Sequence, residues 1–298
     1  MITILGTGQI GQLLLEELLR QYPDQPIQLV NRSGKINKPL PANVSLLAAN
    51  VTNNLEMEEI AQRSGLIFSC TDVPYQQWSS FYPATAAALA FALRNTNARL
   101  VYADNLYSYG NVKGAIMDET MPHIATTKKG RIRAAVLNTL LYSGEDFSKR
   151  VAVVKASDFI GPDLQKAIFS THFFNRLQQN KPIFLSGNLY LAHTFTYTRD
   201  FVVALINIGL APDAFGQLWH APNAPAISIK EWISHFEKST GKEARIINLP
   251  KPILWLAGRF SKLIHELYEL AYQYDYPYLV SHEKYAQRFG KAYTKYDL

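Results

Sequence analysis

The sequence predicts an α/β fold, a doubly wound parallel sheet with a smaller C-terminal α/β lobe, and three observations carry that expectation. Short apolar runs alternate with segments of helical period through the first half of the chain. A glycine-rich turn follows the first apolar run at once, and the alternation loses its regularity past the strand that ends at Ala156. A length of 298 residues is near the limit of one hydrophobic core, which favours one large unit with an appendage over two equal domains.

Ile2 to Leu5 reads as the first strand, after which Ile10, Leu13, Leu14 and Leu18 recur at helical spacing. Ile27 to Val30, Val44 to Ala48, Leu66 to Cys70 and Arg99 to Ala103 read as further buried strands, with helices near Leu55 to Gln62 and Pro83 to Leu93 between them. Repeated βα units imply parallel strands joined by right-handed crossovers. A helix from about Thr127 to Leu141, a strand from Val151 to Ala156 and an amphipathic helix from Phe201 to Leu210 extend the pattern. The expected division is one sheet domain over 1–160, to which part of 192–222 returns, and a smaller lobe from 161–191 and 223–298. In that lobe Ser228 and Glu231 predict a capping box at a helix start. The stretch Tyr268 to Tyr278 is tyrosine-rich, suited to packing between lobes or to lining a substrate cleft.

The composition excludes collagen, coiled coil and wholesale disorder: 48% of residues are apolar and 18% charged, with a formal net charge of +6. The single Cys70 closes no intramolecular disulfide and starts no zinc site, so packing has to hold the fold and a reducing, cytoplasmic setting is expected. The start of the chain lacks the pattern of a secretory signal, and no stretch is long and apolar enough to span a bilayer. Neither export nor a membrane is expected. Basic residues are spread out except for the cluster Lys128 to Arg133, and no groove-reading or stacking motif accompanies it, so no nucleic-acid partner is expected either.

Gly6-Thr-Gly8-Gln-Ile-Gly11 follows a strand and opens a helix, the context in which the GxGxxG pattern means dinucleotide binding. Gly6 permits the turn, Gly8 lets a pyrophosphate approach the backbone, Gly11 allows close packing, and the helix N-terminus offers N–H groups to the anion. Gly6, Gly8, Gln9, Ile10 and Gly11 are therefore the expected cofactor contacts. Where an NAD site presents an acid at the end of the second strand, this chain has Asn31-Arg32-Ser33. A guanidinium and a hydroxyl suit a 2′-phosphate, so NADP(H) is expected over NAD(H), with Asn31, Arg32 and Ser33 at the adenosine ribose. Cys70, at the end of the fourth strand, passes beside the expected cofactor as a small apolar wall residue, and Tyr75, Trp78 and Phe81 follow it either as crevice lining or as packing for the next helix.

The chain resembles the short-chain dehydrogenases/reductases, and within them the extended NAD-dependent epimerase/dehydratase type with its Rossmann-like domain. The residues that carry the resemblance are the glycine turn, Asn50-Val-Thr52, Tyr109-Gly110 followed by Glu119 and Pro122, Ser157 to Pro162, and Tyr197-Thr-Arg-Asp200. The nearest pattern, Ala103-Asp-Asn-Leu-Tyr-Ser-Tyr-Gly110, is that of an atypical subgroup. The resemblance implies that Asn50 and Val51 also border the cofactor, and that a homodimer through a four-helix interface is an option. Two departures accompany it. The usual Ser-Ser pair falls on Asp104 and Asn105, which makes Asn105 a candidate catalytic residue. The usual Tyr-x-x-x-Lys falls on Lys129 and Arg133, so the acid/base tyrosine is absent while Arg133 stands for the residue on the nicotinamide ribose. Spacing of four keeps Lys129 and Arg133 on one helical face.

The expected replacement for the missing acid is Tyr109, with Lys129 as the cation that lowers its phenol pKa or as a proton donor in its own right. Tyr107 is the second phenol of that turn, and His193 and Asp158 are further candidates. Three functions fit: an NADP(H)-dependent oxidoreductase or epimerase/dehydratase on a small carbonyl or sugar-like substrate, a non-catalytic NADP(H)-binding redox sensor, and a nucleic-acid or scaffold protein whose dinucleotide fold is vestigial. No metal site is expected.

Overall fold

A computed structural model of the chain describes residues 1–161, 171–291 and 293–295. Strand β1 (Ile2–Leu5) is buried along its length and turns through the glycines into α1 (Gln9–Gln21), whose Leu13, Leu14, Leu15 and Leu18 face inward. There follow β2 (Ile27–Asn31), β3 (Val44–Ala48), α2 (Asn54–Gln62), β4 (Leu66–Ser69), α3 (Trp78–Asn95) and β5 (Arg99–Asn105). The Asn53 side chain caps α2 by accepting from the N–H groups of Leu55 and Glu56. Helix α3 starts at Trp78 and not at Pro83, because Trp78 and Tyr82 bury themselves in the core and that burial offsets the hydrogen bond Pro83 cannot donate. Strand β5 runs two residues past its expected end, which puts Asp104 and Asn105 within the sheet.

The chain continues through β6 (Ile116–Met117), α4 (Lys128–Leu140) capped by Thr127, β7 (Val151–Ala156), β8 (Asp158–Ile160), α5 (Thr171–Gln178), β9 (Ile183–Leu185), β10 (Ala192–His193), β11 (Phe195–Tyr197) and α6 (Thr198–Leu210). It ends with β12 (Gln217–His220), β13 (Ile227–Ser228), α7 (Ile229–Thr240), β14 (Ile246–Asn248), α8 (Lys251–Gly258), α9 (Lys262–Tyr268), β15 (Leu279–Val280) and α10 (Glu283–Phe289). The capping box of Ser228 and Glu231 is present at α7. Pro162, part of the expected Ser157 to Pro162 motif, and the start of the segment from Asp163 lie outside the described residues.

Seven parallel strands form the central sheet in the order β12-β7-β5-β4-β1-β2-β3. Strand order reverses between β1 and β4, and in such sheets ligands bind in the crevice beyond the strand ends at that point. One face is covered by α2, α3 and α4, the other by α1, α6 and α10, each over its own apolar cluster. A third cluster, including Phe173, Ile183, Phe195, Trp232 and Ile233, binds the C-terminal elements together. Register places Asp104 of β5 beside Lys155 of β7, and Lys155 beside His220 of β12, so three polar side chains cross the carboxyl end of the sheet in one row.

Candidate functional site

Steric limits define the glycine turn. Gly6 has φ +97°, and a Cβ on it would stand 2.8 Å from the Cys70 carbonyl oxygen, while a Cβ on Gly11 would stand 2.0 Å from the Gly6 carbonyl oxygen. At Gly8 a Cβ would meet nothing within 4 Å among the described residues. The first and third glycines thus seal the turn against β4 and α1, and the second opens onto free space. No side chain caps α1 and its first turn carries no acid, so the positive end of the helix faces that space uncompensated. The donor set fits a pyrophosphate. Gln9 and Ile10 form the first helical residues there, and Ile10 packs on the core below.

Asn31 fastens this turn to the end of β2. Its Nδ2 donates to Thr7 Oγ1 at 2.9 Å and to the Lys35 carbonyl at 2.9 Å, and its Oδ1 accepts from the Gly34 N–H at 2.7 Å and from the Ser33 hydroxyl at 3.2 Å. The amide is occupied by the loop, which gives Asn31 a shaping part where the sequence suggested a contact with the ribose. Arg32 and Ser33 are exposed beside it. After β3, Asn50 closes its own turn by accepting from the Thr52 N–H and hydroxyl, and Val51 is buried in the core. Cys70 walls the turn from the other side: its N–H donates to the Leu5 carbonyl at 2.8 Å, and burial pushes its thiol up to about 12.

A buried charge network fills the carboxyl ends of β5 and β7. The Lys155 ammonium donates to Asp104 Oδ2 at 2.7 Å, to the Asn105 carbonyl at 2.6 Å and to the Ser108 hydroxyl at 2.9 Å, with the Asp104 and Lys155 side chains fully enclosed. Desolvation lowers the Lys155 pKa, and the Asp104 carboxylate opposes that shift. The other oxygen of Asp104 lies 3.3 Å from Arg133 Nη1, so one carboxylate serves two cations. The Arg133 guanidinium in turn lies over the rings of Tyr82 at 3.8 Å and Trp78 at 4.3 Å. Trp78, one of the three aromatic residues after β4, is therefore core, its indole N–H donating to the Val73 carbonyl. Asn105 accepts the Tyr107 N–H on its Oδ1 and so closes the turn that carries both tyrosines.

The expected pair of Tyr109 and Lys129 is not what the structure assembles. Tyr109 is fully buried and its hydroxyl meets His220 Nε2 at 2.7 Å. Burial raises the phenol's pKa, and nearby Glu119 adds to the rise, opposite to the lowering that a proton donor at neutral pH would need. Lys129, also buried, sends its ammonium to the carboxylates of Glu266 and Glu269, the latter at 2.6 Å, and its backbone N–H donates to the other Glu269 oxygen at 2.8 Å. The two side chains look to different partners because Glu266 of α9 and Glu269, at the C-terminal end of that helix, bring two acids to Lys129. Sequence spacing could not show acids that lie 137 and 140 residues away.

Asp158 and His193, weaker candidates in the sequence, do come together: His193 Nε2 lies 3.1 Å from Asp158 Oδ2, and the same oxygen accepts the Tyr274 hydroxyl at 2.9 Å. The imidazole is stacked between Tyr274 and Tyr278, ring centroids 5.2 and 4.8 Å away, so the tyrosine-rich stretch serves as packing here. Lys155 escaped sequence reasoning altogether. Its signal was a lone cation in an otherwise apolar, fully buried strand.

The sequence profile of the NAD dependent epimerase/dehydratase family matches residues 2–217, from β1 to the start of β12. This chain belongs to that family. The UDP-glucuronic acid 4-epimerase of Bacillus cereus, solved in complex with NAD, is similar with a TM-score of 0.77 at 15% identity, over 99% of this chain and 93% of that one. The dTDP-glucose 4,6-dehydratase of Bacillus anthracis, in complex with NAD, has a TM-score of 0.77 at 15% identity, over 97% of this chain and 89% of that one. The UDP-glucose 4-epimerase of Thermus thermophilus, in complex with NAD, has a TM-score of 0.75 at 14% identity, over 97% and 93% respectively. At such identities the likeness establishes the architecture alone: a Rossmann-like α/β sheet flanked by helices. A sequence comparison with curated proteins finds no match. Among the described residues no helix is long and apolar enough to cross a membrane, and no group of acidic, histidine or cysteine side chains is arranged to hold a metal.

Proposed function

We propose that this epimerase/dehydratase family member binds a nicotinamide dinucleotide, NADP(H) in preference to NAD(H), and uses it on a small carbonyl or sugar-like substrate. The observation that carries the reading is the turn in which Gly6 and Gly11 admit no Cβ while Gly8 opens onto an uncapped helix end. The preference for the 2′-phosphate rests on exposed Arg32 and Ser33 beside β2, where Asn31 stands in place of an acid. The similar structures named above were solved with NAD, so the preference belongs to this chain's own residues. A reducing, cytoplasmic setting suits its single cysteine, residues 161–191 and 223–298 would supply the substrate lobe, and a homodimer would fit the family.

When bound, the nicotinamide would supply or accept a hydride. The chain's own part would be to orient and to exclude water: α1 would hold the pyrophosphate, Arg32 and Ser33 the 2′-phosphate, and Arg133, pinned by Asp104, would set a positive field at the strand ends. Intrinsic tryptophan fluorescence titrated with NADPH and NADH tests the preference. A charge-assisted phosphate contact is worth about 1.5–3 kcal/mol, so NADPH should bind about tenfold or more tighter and Arg32→Ala should erase the gap. Equal affinities, or tighter NADH, would overturn it.

A second reading, a redox sensor that holds NADP(H) without turnover, is favoured by one observation. Both groups expected to move a proton are engaged elsewhere, Tyr109 with His220 and Lys129 with Glu266 and Glu269. Hydride transfer from NADPH to any member of a panel of aldehydes, ketones and UDP-sugars establishes the enzyme; tight NADPH binding with none supports the sensor.

A further inference from the structure

The hairpin of α8 and α9 presents an outer face that its own fold leaves in solvent. Ile253, Trp255 and Leu256 are each half exposed or more, and Phe260, at the tip between the helices, is 89% exposed. The hairpin keeps its shape without burying these side chains, because Gly258 lets α8 cross α9 so closely that a Cβ there would stand 3.1 Å from His265 Cα. Four exposed apolar side chains within the eight residues 253–260 mark a contact site.

The charges around the face indicate what it meets. The run from Pro250 to His265 contains no acidic residue. The nearest acids, Glu266 and Glu269, turn inward to Lys129, and Lys251 is neutralised by Asp275. Arg259 and Lys262 stay exposed, Arg259 lying 5.3 Å from the centre of the Trp255 ring. Neither has a carboxylate partner among the described residues. An apolar and aromatic face whose unpaired rim charges, Arg259 and Lys262, are both cations is the pattern of a helix that lies in the interfacial layer of an anionic membrane. A two-fold contact between copies would instead bring this cationic rim against the same rim of the second copy, with like charges facing.

We propose that the outer face of the α8–α9 hairpin docks on an anionic lipid surface, with Trp255, Leu256 and Phe260 entering the headgroup layer and Arg259 and Lys262 meeting lipid phosphates. This is peripheral contact by short helices and differs from spanning. It is independent of the proposed cofactor. It refines the sequence expectation of no membrane partner, which weighed spanning segments alone.

The experiment is co-sedimentation of the full chain with vesicles of phosphatidylcholine plus phosphatidylglycerol, and with phosphatidylcholine alone, while tryptophan emission is recorded. The other three tryptophans, Trp78, Trp219 and Trp232, are buried, so a blue shift reports Trp255. Binding and a blue shift are expected with the anionic vesicles, reduced by high salt. Arg259→Gln and Lys262→Gln should each weaken binding about fivefold, and Phe260→Asp, at an exposed position where folding is not at stake, should weaken it about tenfold or more. Binding that is absent, or unchanged in Phe260→Asp, overturns the proposal. So does a lipid-free dimer in sedimentation velocity that Phe260→Asp dissolves, since a second copy would then cover the face.

Discussion

Tyr109 and His220, 111 residues apart in the chain, meet in the core with the phenol oxygen 2.7 Å from Nε2. The other ring nitrogen, Nδ1, lies 2.8 Å from the Ser281 carbonyl, which can only accept. Nδ1 therefore carries the proton and Nε2 accepts from the tyrosine, so the imidazole is held neutral in one tautomer.

That arrangement makes stability depend on acid. Burial is the main cause that lowers the His220 pKa to about 3, whereas an unfolded histidine titrates near 6.5. Between these values the unfolded chain binds a proton that the native protein refuses, so stability falls as pH drops below about 6.5. The loss should reach about 2 kcal/mol by pH 5. His123, lowered to about 4 mainly by burial, acts in the same direction. Urea denaturation at neutral and mildly acidic pH checks this, and His220→Gln should flatten the profile by about one proton. An unchanged slope in that variant would refute the assignment.

The glycine turn separates folding from binding. Gly8→Ala places a methyl group in open space, so its melting temperature should match the wild type while dinucleotide affinity falls about tenfold or more. Gly11→Ala drives a Cβ into the Gly6 carbonyl and should destabilise the fold itself by about 3 kcal/mol. Thermal melts with and without cofactor distinguish them. A Gly8→Ala protein that binds as tightly as wild type would remove the pyrophosphate from this turn.

Lys129→Met leaves Glu266 and Glu269 side by side without their cation. The expected cost is about 3 kcal/mol in chemical denaturation. Replacing both acids by glutamine in the Lys129→Met background should return part of it. No change in the denaturation midpoint of Lys129→Met would show that the ion pairs contribute nothing to holding α9.

Cys70 should be an unreactive thiol. With its pKa pushed up to about 12 by burial, almost none of it is thiolate at pH 8, so an aromatic disulfide reagent should modify it slowly in the native protein and at once in urea. Rapid labelling of the folded chain would contradict this.

What could be read in the sequence was what neighbouring residues decide. Gly6, Gly8 and Gly11 announce themselves because the steric demand of the turn repeats at fixed spacing after a strand, and Ser228 with Glu231 because a capping box is a local exchange of hydrogen bonds. The charge network could not be read in the same way. Lys155 belongs with Asp104 only because β5 and β7 are neighbours in register, and a strand pairing is not written in either strand. The partnership proposed for Tyr109 and Lys129 failed for the same reason. Helical spacing correctly put Lys129 and Arg133 on one helix, yet each cation took the acid that tertiary packing supplied: Asp104 for Arg133, Glu266 and Glu269 for Lys129.

The clasp between Lys129 and Glu269 also sets a timetable for synthesis. The partners lie 140 residues apart, so at about 5–20 residues per second the lysine leaves the ribosome about 7–28 s before its acids do. Through that interval its ammonium has no carboxylate from α9 to pair with, and α4 waits for its final burial although every strand up to β14 is made before Glu266. A nascent chain stalled before Glu266 should therefore remain cleavable by trypsin after Lys129, and one released at full length should not.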